Sequence, residues 1–107
     1  MKVTYKGRTH RTDAIGEYNP ESGELIVKRG SIVSESIASF PGASSVKRMR
    51  QDRIDADGCL KEDLLFSTPS AAAAFVTGYS ANGLLTWHVE KHKTLRDFLE
   101  NKQGDQL

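Results

Sequence analysis

Short apolar runs separated by clusters of turn residues set the organisation of this chain. Val3 and Tyr5 alternate weakly within a polar, basic opening, so residues 1–12 read as an N-terminal arm or an edge strand. Asp13 to Tyr18 leads into Asn19-Pro20-Glu21-Ser22-Gly23, a dense group of turn formers, and the segment beyond it, Glu24 to Lys28, is apolar and β-branched. Two short strands around that turn predict a hairpin over 13–28, with Leu25 and Val27 on one face and Ile26 on the other. Arg29-Gly30-Ser31 follows as a tight turn, in which Gly30 supplies a backbone angle that other residues resist. Ile32, Val33, Ile37 and Phe40 recur at mixed spacing until Pro41-Gly42, which reads as a strand end passing into irregular or short helical structure.

Helical spacing begins after Gly42. Ser44 or Ser45 can cap a helix that runs to about Asp55 and is stopped by Gly58. On it Val46 and Met49 point inward, with Ile54 near the same side, while Lys47 and Arg48 project away. Arg50 and Arg53 lie near the apolar stripe, where their stems can cover the edge of the core. Leu60 reads as a buried anchor, and Glu62 to Phe66 as a short strand. The next stretch is the one the rest leans on. Thr68 is an N-cap, Pro69 suits the first helical position, Gly78 suits a left-handed C-cap, and the residues between are mostly alanine. A helix this smooth can lie close against a sheet or another backbone. Asn82-Gly83 is a turn signal, Trp87 to Val89 reads as extended, and Thr94 with Asp97 forms a capping box. That box opens a last helix carrying Leu95, Phe98 and Leu99 on one face. From Asn101 the chain is polar and reads as a disordered tail, 101–107. The pattern predicts one α+β domain over 13–100: a small antiparallel sheet, begun by the N-terminal hairpin, covered by two or three helices.

Composition narrows this little. The 107 residues suffice for one domain, and 15 Lys and Arg against 14 Asp and Glu leave a net charge of +1 that selects no partner. The local distribution is less even. Lys47, Arg48, Arg50 and Arg53 stand against Asp52 alone, after which Asp55, Asp57, Glu62 and Asp63 turn the chain acidic. Such segregation either builds one basic face suited to phosphate or simply solvates a neutral domain. The single Cys59 forms no internal disulfide, no apolar run approaches the ~20 residues that span a bilayer, and Met1 to Lys6 has no signal-peptide core. The expectation is a cytoplasmic protein without membrane contact.

Catalytic signatures are absent: no GxxxxGK[ST], no GxGxxG after a strand and no GxSxG elbow. His88 and His92 are four apart, but their surroundings read as extended and Lys91 and Lys93 repel a cation. Cys59 is surrounded by carboxylates that would raise a thiol pKa, so it reads as a small packed residue. No catalytic residue, metal or cofactor is expected, and the protein is not read as an enzyme. Ser67, Thr68 and Ser70 cluster at a helix N-terminus, where they either cap or receive a phosphate. Trp87 is either core or, if exposed beside Asn82 and Tyr79, a platform for an unstacked base.

Phe66-Ser67-Thr68-Pro69-Ser70-Ala71-Ala72-Ala73, then Gly78, Ser80-Ala81-Asn82-Gly83, Trp87 and Thr94-Leu95 resemble a bacterial domain of unknown function. That domain is best known at the C-terminus of GIY-YIG-type nucleases and of restriction-modification-linked proteins. Gly16-Glu17-Tyr18 and Val27-Lys28-Arg29-Gly30-Ser31 extend the likeness, which spans roughly Ala14 to Leu99. More distantly the chain resembles the RAMA domain associated with restriction systems and adenine methylases. The resemblance implies an accessory, DNA-related module and not a nuclease. On that reading Lys47, Arg48 and Arg50 contact phosphates with support from Lys28 and Arg29, while Ser67, Thr68 and Ser70 offer hydroxyls and helix N–H groups. Asn82 and Trp87 then read or stack on a base. The alternative is a protein-interaction module that docks on a nuclease or methylase through an apolar edge around Phe75 and Tyr79.

Overall fold

Strict alternation places β2 (Asp13–Tyr18): Ala14, Gly16 and Tyr18 are buried while Asp13, Ile15 and Glu17 face water. β3 (Leu25–Val27) repeats the pattern, with Leu25 and Val27 inward and Ile26 outward, so the hairpin forms in the register its side chains demand. The computed structural model describes residues 1–7 and 11–104. In it β1 (Lys2–Lys6), β4 (Leu64–Phe66), β5 (His88–Glu90) and β6 (Lys93–Thr94) join the hairpin in one antiparallel sheet of order β4-β3-β2-β1-β5-β6. Residues 2–6 are therefore neither an arm nor an edge. β1 lies between β2 and β5, and Val3 is fully buried. Val3 and Tyr5, which packs half-buried against the core two residues on, contribute enough apolar contact to place a strand whose other residues look like a solvated arm.

Among the described residues four helices accompany the sheet: α1 (Ala43–Arg50), α2 (Pro69–Thr77), α3 (Gly83–Thr86) and α4 (Leu95–Gly104). The core joins the inward face of the sheet (Val3, Leu25, Val27, Phe66) to Phe75 and Val76 of α2, with Trp87 and Leu95 alongside. α2 has the boundaries its residues predict. Thr68 Oγ1 accepts from Ala71 N, Pro69 opens the helix, and Gly78 closes it at φ 79°. α1 is shorter than its spacing suggests, ending at Arg50 instead of near Asp55. Asp52 takes a left-handed φ of 65°, and Ile54 leaves the helix to bridge Leu60 in an antiparallel pair. Lys47 and Arg48 face outward and Val46 and Met49 inward, as expected. Helical structure in α4 runs through Gly104, past Asn101 where a tail was expected; 105–107 and 8–10 lie outside the described residues.

The capping box at α4 is formed in both directions: Thr94 N donates to Asp97 Oδ2 and Asp97 N donates to Thr94 Oγ1, each at 3.1 Å. The backbone hydrogen bond from Thr94 is the main reason the Asp97 carboxyl stays below its ordinary 3.8. Glu17 is lowered by the N-terminal ammonium, which donates to it at 2.8 Å. Asp63 is lowered by the backbone N–H of Arg29 and then by Lys28. A carboxylate with a lowered folded pKa stabilises fully above its unfolded value and loses that contribution as pH falls through the folded one. Resistance to urea is therefore expected to hold above the ordinary Glu value of 4.5 and to decline below it. Urea midpoints at pH 7 and pH 3 measure this, and Asp97→Asn should show a shallower decline than the parent. An equal decline would mean that the capping carboxylate contributes nothing to the pH dependence.

Candidate functional site

Arg50 fixes the geometry on the helical side. From the last turn of α1 its guanidinium donates to Ser34 O at 2.8 Å, Ser34 Oγ at 2.9 Å and Phe75 O at 2.7 Å. Its ring-side contact adds a cation–π approach, 5.8 Å from the Phe75 centroid. Burial lowers its pKa to about 10, so it remains charged at neutral pH. The role expected from sequence, a phosphate contact, is corrected: the guanidinium donors are spent on carbonyls at the end of α2. α1 and α2 are held together at their C-terminal ends, and a groove opens between their earlier turns.

That groove encloses about 320 Å3. Phe66 and Phe75, both buried with ring centroids 5.2 Å apart, lie beneath it, half-buried Phe40 and Met49 form apolar walls, and Ser45, Ser70 and Ser80 bring hydroxyls. Ala71 and Ala74 keep the α2 wall low, since any larger side chain there would fill the space. On α1, Ser44 and Arg48 lie one turn apart on the flank next to groove-lining Ser45, and both are exposed. Neither Lys47 nor Arg48 takes part in an ion pair among the described residues. A larger hollow of about 460 Å3 lies between Ile32–Glu35 and Ile54–Gly58, but charges of both signs line it. Its Asp55 carboxylate is occupied by the backbone N–H groups of Asp57 and Cys59.

The other residues expected to contact nucleic acid divide by what they touch. Trp87 is fully buried, and its indole N–H donates to Pro69 O at 3.1 Å, so it is a core residue and offers no stacking surface. The apolar area of its ring outweighs any gain from leaving it in water. Thr68 caps α2, Asn82 Oδ1 accepts from Leu84 N to cap α3, and Ser70 Oγ accepts from Gly83 N. Asn82-Gly83, read from sequence as a turn, thus starts a short helix. These residues and exposed Ser67 do come together around the start of α2. Lys28 pairs with Asp63 at 3.0 Å, and Arg29 borders a depression with Asp13 and Ile15. They belong to the sheet end, apart from Lys47 and Arg48. The sequence reading missed Phe40, Ser45 and Ser80, although Ser70, Ala71 and Ala74 already share one helical flank by spacing.

A family model described as a domain of unknown function, DUF4357, matches residues 4–99. The chain belongs to that family. No curated protein and no solved structure matches it. Within the DUF4357 domain the matched span runs from β1 into α4 and takes in both walls of the groove. Among the described residues no three His, Cys, Asp or Glu side chains gather as metal ligands, and no helix is long and apolar enough to cross a membrane.

Proposed function

We propose that this DUF4357 domain is a non-catalytic accessory module that binds nucleic acid, with DNA in a nuclease- or restriction-modification-linked setting in the cytoplasm as the favoured ligand. The observation that carries the reading is the α1–α2 groove, at the small end of ligand-site volumes, roughly 300–1,000 Å3. Half-buried Phe40 and Met49 with the alanine wall suit one unstacked base, the serine hydroxyls can meet a base edge, and exposed Arg48 lies on the adjoining flank of α1 for phosphate. The phosphate contacts are Lys47 and Arg48, with Arg50 and Trp87 withdrawn from the ligand. The non-catalytic part rests on where the perturbed carboxylates are: Glu17, Asp63 and Asp97 each owe their shift to a structural partner outside the groove. The rival apolar edge for a nuclease or methylase partner keeps only Tyr79, because Phe75 is fully buried.

Fluorescence anisotropy with labelled single-stranded, duplex and N6-methyladenine duplex DNA tests the proposal at low and near-physiological salt. Binding should be saturable and should weaken as salt rises, and Lys47→Ala with Arg48→Ala should flatten the log–log salt slope by about 0.9 per lost contact on duplex. Widening the Ala74 side chain (Ala74→Leu) should reduce affinity while leaving that slope alone. No saturable binding at low salt would overturn the nucleic-acid reading.

A further inference from the structure

Asn82-Gly83 is the one Asn-Gly pair in the chain. Asparagine cyclises most readily before glycine, because no side chain screens the following amide nitrogen. The reaction needs that nitrogen to lose its proton and to reach the side-chain carbonyl carbon. In the folded domain each group involved is held. Gly83 N donates to Ser70 Oγ at 3.0 Å, and Asn82 Oδ1 accepts from Leu84 N at 3.0 Å. Asn82 O accepts from Thr86 N at 2.9 Å and from Thr86 Oγ1 at 2.8 Å. Asn82 is exposed, whereas Gly83 is buried against the backbone of Pro69 and Ser70. The reactive carboxamide thus lies at the surface while its nucleophile is engaged beneath it.

We propose that Asn82 is a deamidation site that reacts only when α3 undocks from α2, and that its isoaspartyl product keeps α3 from docking again. Gly83 N attacks Asn82 Cγ, the Cγ–Nδ2 bond breaks, and ammonia leaves with the displaced proton. Water then opens the cyclic imide at either carbonyl and returns an aspartyl or an isoaspartyl linkage, with no change in oxidation state. Aspartate keeps the backbone and caps a helix as well as asparagine does. The isoaspartyl linkage lengthens the main chain by one methylene directly before Gly83. At that point there is no room even for a Cβ against the Pro69 and Ser70 backbone. With α3 displaced, the Trp87 indole loses its acceptor, Pro69 O. The proposal stands independently of any ligand in the α1–α2 groove.

Peptide mapping by mass spectrometry at mildly alkaline pH follows the reaction at Asn82, with the chain folded or unfolded in guanidinium chloride. The folded chain should deamidate at least about tenfold more slowly, because only its open fraction reacts. Ser70→Ala frees the Gly83 N–H and should speed the folded rate about fivefold while leaving the unfolded rate unchanged. Trp87 is the only tryptophan, so its emission reports the docking of α3. Isoaspartyl protein, separated by chromatography and returned to native buffer, should emit to the red of the parent, whereas Asn82→Asp should emit like the parent. Equal rates in the folded and unfolded chains, or no acceleration in Ser70→Ala, would overturn the gate. Isoaspartyl protein with parental emission would overturn the block on redocking, as would an Asn82→Asp chain shifted equally to the red.

Discussion

Gly83→Ala is expected to leave no folded domain at 25 °C. Gly83 opens α3 against the first turn of α2, and a Cβ there would overlap the carbonyl carbon and oxygen of Pro69 and the nitrogen of Ser70. All three are backbone atoms of a capped helix, so no rotamer change can make room. The same contact supports two hydrogen bonds that would break with it, from Gly83 N to Ser70 Oγ and from the Trp87 indole to Pro69 O. Losses beyond about 4 kcal/mol are confined to a few mechanisms, and forced overlap of buried backbone is among the worst of them. Against the roughly 5–15 kcal/mol of a typical domain, that is most of the stability. Gly23→Ala supplies the comparison. Gly23, unlike Gly83, has a positive φ, 80°, but nothing surrounds it, so only the left-handed backbone penalty of about 1–2 kcal/mol applies. Thermal melts by circular dichroism separate the two. A cooperative Gly83→Ala melt within a few degrees of the parent would refute the close approach of α3 to α2.

Arg50→Met should cost about 3 kcal/mol while leaving the salt dependence of DNA binding unchanged. Methionine keeps much of the stem that packs beside Phe75 but removes every donor. Ser34 O and Phe75 O would then be left without the charged partner that now satisfies them. Arg50→Lys should recover part of the loss, because one ammonium cannot reach both ends of the guanidinium fork. Urea unfolding gives the stability. Anisotropy titrations on the folded protein give the salt slope, which should match the parent because no phosphate contact has gone. An Arg50→Met variant of parental stability that binds DNA weakly would return Arg50 to the ligand.

Much of the local structure was legible in the residues. Thr68, Pro69 and Gly78 bound α2 because capping chemistry acts within a few residues and depends on little else. The Thr94–Asp97 box and the 13–28 hairpin were readable for the same reason. The site was less legible. Of the basic residues near positions 47–53, Arg50 differs from Lys47 and Arg48 only in which side of α1 it occupies, and its acceptors come from positions 34, 75 and 76. Composition cannot tell a cation that latches two segments from one that meets solvent. Trp87 posed the same problem, and its burial depends on α2 presenting Pro69 O to the indole.

The sequence by itself determined the 13–28 hairpin with its alternation of apolar and outward positions, and the caps of α2 and α4. Those features follow from periodicity and from hydrogen bonds between near neighbours, which an amino-acid string contains directly. Only the tertiary structure decided that β1 is an interior strand, that Arg50 and Trp87 serve the core, and that Phe40 and Ser45 of one segment meet Ser70 and Ser80 of another. Each of those outcomes turns on contacts between residues far apart in the chain, where the area buried and the donors satisfied depend on which surfaces are brought together.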